Sequence, residues 1–194
     1  MGNGIQFWEN TANALVENCW VYQCYDTGIS PQGIAGSTYK DIVIKDTLIE
    51  YCTYNFELFD RDSKHKWDGL VLEDNIMRFA GLSWAGSRPD TYATSLICAW
   101  QIAHTVPYGK GIVIKNNIFD VSNANLIYWP AFSDDLPNLD AFVVSGNSFY
   151  QKANSTNAAV TFLRNPTTSA TNQAELEASV RGFDPNPKVV KWLS

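Results

Sequence analysis

Three acidic side chains in the first third of the chain are the leading candidates for catalysis. Glu57 and Asp60 are the first choices for a general acid and a base or nucleophile, and Asp26 is the alternative partner. Other side chains would bind a substrate through hydrogen bonds, charge or ring stacking. These are Gln32, Trp84, Arg88, Asp90 and Trp129. The chemistry indicated is bond cleavage by acid and base groups in a cleft.

The histidines and cysteines add no second kind of catalytic chemistry. His104 has no serine or cysteine companion at the spacing of a nucleophilic triad. The four cysteines form neither a CxxC pair nor a zinc spacing, so we expect buried free thiols. The acidic pair in Asp60-Arg61-Asp62 resembles a fragment of a calcium loop, but such pairs are common in solvated turns. We therefore expect no cofactor and no metal, with calcium as the alternative.

Composition excludes two classes of function. Hydrophobic residues make up 45% of the 194 residues and charged residues 18%, which is typical of one folded domain. The formal net charge of −6 disfavours a nucleic-acid partner that needs a broad basic surface. No apolar run approaches the roughly 20 residues needed to cross a bilayer, so we expect no membrane partner.

An internal repeat predicts the elements that position the candidate residues. Five twelve-residue segments align without gaps, and their starts are 28, 28, 42 and 30 residues apart. The segments are NALVENCWVYQC from Asn13, DIVIKDTLIEYC from Asp41, GLVLEDNIMRFA from Gly69, GIVIKNNIFDVS from Gly111 and AFVVSGNSFYQK from Ala141. One pattern recurring at this spacing predicts a solenoid whose repeats stack on one another.

Each repeat has the pattern of a strand, a tight turn and a second strand. The first strand is rich in β-branched residues, as in Ile42-Val43-Ile44. The seventh position is mostly Asn, so we expect left-handed backbone there and a ladder of inward side chains. The predicted ladder contains Cys19, Thr47, Asn75, Asn117 and Asn147. After the bend, we expect Glu50, Arg78 and Asp120 to face outward.

A third short strand follows each repeat and carries the candidate site. The predicted strands are Gly28–Pro31, Asn55–Phe59, Leu82–Ala85, Asn125–Trp129 and Ala158–Phe162. Steps of 28 residues lead from Gln32 to Asp60 and on to Arg88. Stacked strands lie about 4.8 Å apart, so Asp60 would lie beside Arg88. Glu57 has an apolar residue on each side, so strand alternation turns it outward if those two face inward.

The repeated IxIxNNxF-type segments resemble those of the pectate-lyase-like superfamily, from about residue 4 to residue 165. The resemblance implies an all-β, right-handed parallel β-helix of about five to six rungs, of which this chain is the C-terminal portion. It also implies a glycan cleft on one strand face, with a polysaccharide or oligosaccharide as ligand. Secretion or a cell-surface location follows from the same resemblance. A β-sandwich of short strands is the alternative fold.

The ends and one insertion complete the predicted organisation. The divisions are 1–170 for the rungs, with an insertion at about 86–110, and 171–194 for a C-terminal cap. The apolar centre of the insertion, Ser95–Trp100, predicts an extra strand or a flap. A short helix at Asn172–Val180 and a last strand at Lys188–Leu193 would form the cap. Ile5 enters mid-rung, so we expect upstream rungs or another chain over that end.

The resemblance implies a protein that binds an extended polysaccharide and, if catalytic, cleaves it as a glycoside hydrolase or polysaccharide lyase. Arg88 would then hold an acidic sugar or tune a carboxylate. The paired aspartates and Gly-His-Gly of polygalacturonases are absent, as is the Lys/Arg set of pectate lyases. The alternative is a non-catalytic structural or adhesive solenoid, such as a phage tail spike or a cell-surface segment.

Overall fold

A computed structural model describes residues 2–34, 36–60, 66–82, 94–101, 110–128, 142–153 and 170–194. In these ranges the chain forms short strands and one helix, α1 (Gln173–Arg181). The strands are β1 (Ile5–Trp8), β2 (Ala12–Glu17), β3 (Trp20–Tyr22), β4 (Thr27–Gln32), β5 (Thr38–Lys45), β6 (Leu48–Glu50), β7 (Tyr54–Asp60), β8 (Lys66–Glu73), β9 (Ile76–Arg78), β10 (Ser95–Gln101), β11 (Lys110–Lys115), β12 (Ile118–Asp120), β13 (Asn125–Tyr128), β14 (Phe142–Ser145), β15 (Ser148–Lys152) and β16 (Val189–Leu193).

The strands form three parallel sheets that the chain visits in a repeating cycle. Sheet A has the order β1-β4-β7-β10-β13, sheet B the order β2-β5-β8-β11-β14, and sheet C the order β3-β6-β9-β12-β15-β16. Each pairing is parallel and joins strands one cycle apart, except that β16 follows α1. The fold is therefore an all-β parallel solenoid. The alternative of a β-sandwich is wrong, because sandwiches are built from antiparallel sheets.

Apolar side chains in register fill the interior. In sheet B, Ile42 pairs with Leu70 and Leu70 with Ile112, and all three are at most 1% exposed. In sheet C, the rings of Phe119 and Phe149 stack with centroids 5.4 Å apart. Each rung therefore buries its apolar surface against the rungs next to it, at about 25 cal/mol per Å².

A hydrogen-bonded ladder runs through the bend between sheets B and C. Its members are, in order, Cys19, Thr47, Asn75, Asn117, Asn147 and Asp184. Each backbone N–H donates to the side-chain oxygen of the next member, at 2.8–3.3 Å. The three Asn amides also donate to a carbonyl of the preceding rung at 2.8–3.0 Å. The predicted inward ladder is confirmed, and Asp184 extends it.

The left-handed residue at this bend is the sixth of the repeat, not the seventh. The sixth residues and their φ angles are Asn18 (53°), Asp46 (50°), Asp74 (55°), Asn116 (55°) and Gly146 (70°). The three ladder Asn residues do not have positive φ, so that part of the prediction is wrong. The preceding residue makes the turn, which leaves the ladder side chain free to point into the interior. Asn, Asp and Gly tolerate this conformation best.

The third strand of one rung is not where the pattern predicted it. The place in sheet A assigned to Leu82–Ala85 belongs to β10, which pairs with β7 on one side and β13 on the other. Leu82 is outside any strand, and residues 83–93 lie outside the described residues. The predicted insertion at about 86–110 therefore contains a regular strand of sheet A. Its buried Leu96, Ile97 and Cys98 supply apolar positions that this rung needs.

The C-terminal segment closes against the ladder and the core. Helix α1 lies one residue from its predicted position, with Asn172 as N-cap accepting a hydrogen bond from the Glu175 N–H at 3.1 Å. Leu176 and Val180 are fully buried in the core. The predicted last strand is confirmed as β16, which pairs with β15. The strand predicted at Ala158–Phe162 lies outside the described residues.

At the opposite end, the first strand of each sheet is an edge strand. β1, β2 and β3 each end their sheet in the described part of the chain. Ile5 and Phe7 are only half-buried there, and Trp8 is 54% exposed. The predicted apolar surface at residues 4–8 is confirmed. Coverage of this end by a further rung or another chain stays a prediction.

Replacing Asn117 by Leu should lower the free energy of unfolding by about 1–3 kcal/mol, because buried donors and acceptors lose their partners. Asn117 is fully buried and bonds Asn75, Asn147 and the Leu72 carbonyl. Urea unfolding followed by circular dichroism measures the change. The matched control is Lys191→Leu, at an exposed position of β16. Equal stability of the two variants would contradict the ladder's role.

Candidate functional site

The carboxylate of Glu57 lies in the middle of a hydrogen-bonded cluster on sheet A. Its Oε2 accepts hydrogen bonds from Ser30 Oγ at 2.6 Å, from Gln32 Nε2 at 3.2 Å and from Thr27 Oγ1 at 3.4 Å. All three donors belong to β4, which pairs in parallel with β7. Gln32 in turn accepts a hydrogen bond from Gln6 Nε2 at 2.7 Å. The predicted association of Glu57 with Gln32 is confirmed.

The expectation that Glu57 faces outward into solvent is wrong. Its side chain is 3% exposed, and Ser30 is fully buried. The preceding residues of the two strands, Ile29 and Phe56, are also fully buried, so sheet A is buried on both faces here. Hydroxyl and amide donors replace water around the carboxylate, which is what makes its burial tolerable. Strand alternation indicated the face but not what covers it.

The register of sheet A also differs from the predicted 28-residue step. Ile29 pairs with Phe56, a step of 56 − 29 = 27 residues. At the end of β7, Asp60 pairs with Gln101 of β10. The predicted placement of Asp60 beside Arg88 in the next strand is therefore wrong. The equal spacing of the repeat segments applies to sheets B and C and not to the third strand.

The remaining predicted site residues are not brought together in the described part of the chain. Asp26 lies in the turn before β4, where its carbonyl accepts hydrogen bonds from the N–H groups of Thr53 and Tyr54 at 3.0 and 3.2 Å. Four predicted substrate-binding residues lie outside the described residues. They are Trp84, Arg88, Asp90 and Trp129. Their roles stay predictions.

An exposed aromatic pair on sheet C lies outside the predicted site. Trp20 and Tyr22 stack with ring centroids 4.5 Å apart and planes inclined by 24°. Their side chains are 63% and 49% exposed, whereas Val21 between them is buried. Alternation along β3 therefore turns both rings to the solvent side of the sheet. Exposed aromatic surface of this kind is typical of binding sites.

A buried ion pair holds the indole of Trp20 in place. Trp20 Nε1 donates to Glu50 Oε1 at 2.9 Å, and Arg78 Nε donates to Glu50 Oε2 at 2.7 Å. Glu50 is only 3% exposed, and the Arg78 guanidinium also lies 4.9 Å from the centroid of the Phe79 ring. Glu50 thus faces outward as predicted but is covered by its partners. The exposed ring is fixed by a carboxylate that is itself held on both oxygens.

Two shallow grooves meet at Trp20. The larger, of about 440 Å³, runs along the bend between sheets B and C and is lined by Asn18, Asp46 and Asp74, among others. The second, of about 390 Å³, lies against apolar side chains of β1 and β3 at the open end of the solenoid. The aromatic pair therefore borders one polar and one apolar concave surface.

The repeat alignment contained a signal for this surface. Trp20 shares its register row with Leu48 and Ile76. All three occupy the eighth position of the repeat, directly before the inward residue of the second strand. Apolar residues that recur at an outward position indicate a surface used for contact. The search for paired carboxylates on the third strand passed over this row.

The described residues hold no metal-binding group of three or more His, Cys, Asp or Glu side chains. No helix in the same ranges has the length and apolar character needed to cross a bilayer. The four cysteines are free thiols, as predicted, but Cys19 and Cys24 are only half-buried. Hydrogen bonding with Cys52 lowers the pKa of Cys24, while the same contact and burial raise the pKa of Cys52.

Comparison of the chain with protein-family models, with curated proteins and with solved structures gave no match. The resemblance to the pectate-lyase-like superfamily therefore stays a prediction from the repeat segments. The arguments for function below depend on the geometry of the described side chains alone.

Replacing Glu57 by Leu should destabilise the fold by about 1–3 kcal/mol, because three buried donors of β4 lose their acceptor. Glu57→Gln keeps one acceptor oxygen and should cost less. Equilibrium unfolding in urea compares the two variants with the wild type. If the Leu variant unfolds at the same urea concentration as the Gln variant, the cluster does not stabilise sheet A.

Proposed function

We propose that this protein is a right-handed parallel β-helix of about five to six rungs that binds an extended polysaccharide. The observation that carries the proposal is the exposed Trp20–Tyr22 pair, held by the buried Glu50–Arg78 ion pair. A sugar ring presents an apolar C–H face that packs on an aromatic ring. A ring that is already fixed loses little conformational entropy when ligand binds. This favours stacking recognition over a general hydrophobic contact.

The groove beside the rings supports hydroxyl recognition. Asp46 and Asp74 line it together with Asn18, and these groups can accept or donate hydrogen bonds to sugar hydroxyls. The groove crosses several rungs, so a chain of sugars can lie along it with equivalent contacts at successive strands. Two carboxylates and a net charge of −6 repel acidic polymers. The proposed ligand is therefore a neutral polysaccharide.

Cleavage of that ligand is a separate proposal. It would use Glu57 with Asp60 or Asp26 as acid and base, in a cleft on sheet A that includes Gln32, Trp84, Arg88, Asp90 and Trp129. A carboxylate that is 3% exposed needs an opening movement before it can meet a substrate. Turnover of any polysaccharide, abolished by Glu57→Gln, would support this role.

One observation favours the alternative of a non-catalytic structural or adhesive solenoid. The Glu57 carboxylate accepts three hydrogen bonds inside a sheet buried on both faces, which is an arrangement suited to stability. An adhesive solenoid needs no reactive carboxylate and can still bind a surface glycan through exposed rings. Under either proposal we expect the protein to be secreted or at the cell surface, where such polymers occur.

Replacing Trp20 by Ala should weaken polysaccharide binding by about tenfold or more, equal to about 1.4 kcal/mol. Affinity electrophoresis in gels containing neutral and acidic polysaccharides provides the measurement, and tryptophan fluorescence titration gives the dissociation constant. Trp8→Ala is the matched control, since Trp8 is 54% exposed but lies on β1. Trp20→Phe keeps a ring but loses the bond to Glu50, and should bind with intermediate affinity.

The proposal has two results against it. Retardation of wild type and Trp20→Ala to the same extent would remove the aromatic pair from the binding site. Stronger retardation by acidic than by neutral polymers would overturn the neutral ligand.

A further inference from the structure

Sheet B carries charges of alternating sign on its solvent side. One register row contains, in order along the sheet, Glu17, Lys45, Glu73 and Lys115. Lys45 Nζ lies 2.6 Å from Glu17 Oε1. Lys115 Nζ lies 2.8 Å from Glu73 Oε1. The hydrogen bond with Glu17 and the charges of Glu17, Asp46 and Glu73 raise the pKa of Lys45, so the row keeps its full alternation at neutral pH.

An apolar row runs beside these charges on the same side of the sheet. It contains, in register, Leu15, Val43, Val71, Val113 and Val143. These residues lie two positions before the charged ones, so strand alternation puts both rows on one face. Leu15 and Val143 are 58% and 57% exposed, and Val43, Val71 and Val113 are partly exposed. A continuous apolar row on a solvent-facing sheet is typical of a contact surface.

We propose that this face binds a second copy of the chain, with the two solenoids antiparallel. The twofold axis lies along the strand direction, between β5 and β8. This operation lays each row on its own copy and reverses its order. Glu17 then meets Lys115 of the partner subunit, and Lys45 meets Glu73 of the partner subunit. An isologous contact of this kind closes on itself and stops at two copies.

The order of the charges selects this arrangement. A row that reads negative, positive, negative, positive becomes its own complement when it is reversed. Parallel stacking in register would instead place like charges opposite each other, which costs binding energy. A second row has the same property, because Lys40 pairs in register with Asp68. Under the same axis, Lys40 lies opposite Asp68 of the partner subunit.

The size of the face sets the strength of the contact. Five strands at about 4.8 Å cover roughly 20–25 Å, and two or three outward positions cover a similar width or less. That area is below the roughly 800 Å² per partner of a stable interface. The dimer is therefore weak and reversible, and it is strongest at low salt, where exposed charges are least screened. This surface is on a different sheet from Trp20, so the inference does not depend on the proposed ligand.

Two charge variants test the proposal without changing net charge. Glu17→Lys with Lys45→Glu keeps both ion pairs within the chain but makes every proposed contact between copies a contact of like charges. Adding Glu73→Lys and Lys115→Glu inverts the whole row and restores complementarity. Sedimentation equilibrium at low salt, up to roughly 1 mM protein, measures self-association. We expect the double variant to associate at least tenfold more weakly than wild type, and the fourfold variant to associate like wild type.

Each outcome decides the question. Association through the open N-terminal end is the same in all variants, so only differences between them report on sheet B. A wild type that stays monomeric up to the highest concentration, or a double variant that associates like wild type, overturns the proposal. A fourfold variant that is folded by circular dichroism but monomeric also overturns it. If that variant fails to fold, Val71→Lys at the centre of the apolar row replaces it and should abolish the dimer.

Discussion

The buried ladder between sheets B and C is the interaction on which the rest of this structure depends. Each ladder oxygen accepts the N–H of the rung before it, and each Asn amide returns a bond to that rung's carbonyl. Unpaired polar groups at a buried bend would cost about 1–3 kcal/mol each, so a sharp corner without the ladder would not persist. Because the ladder ties every rung at the same residue, it also fixes the register of the strands that follow.

A fixed register explains the surface features of sheets B and C. Residues 28 apart become direct neighbours, so one position of the repeat becomes one row on the surface. The row that begins with Glu17 becomes an alternating charge row, and the row that begins with Trp20 becomes an apolar strip. The ion pair of Glu50 with Arg78 arises in the same way and holds Trp20. Both proposed contact surfaces are thus consequences of stacking.

Sheet A follows different rules because it lies farthest along the chain from the ladder. Loops of variable length enter and leave its strands, and one step is 27 residues while the neighbouring sheets step by 28. Glu57 is buried by this arrangement and satisfied by Ser30, Gln32 and Thr27. A catalytic carboxylate and a buried structural carboxylate look the same in a sequence, since both interrupt an apolar strand.

The sequence by itself determined the solenoid, the inward Asn ladder, the core positions of sheets B and C, and the helix near the C-terminus. These depend on periodicity and local conformational preference, which repeat along the chain. Only the tertiary structure decided that β10 and not Leu82–Ala85 completes sheet A, that Glu57 is covered, and that Trp20 is exposed yet held by Glu50. These depend on which residues meet across rungs when loop lengths differ. Burial on the second face of a strand comes from segments distant in sequence, and a local pattern carries no information about them.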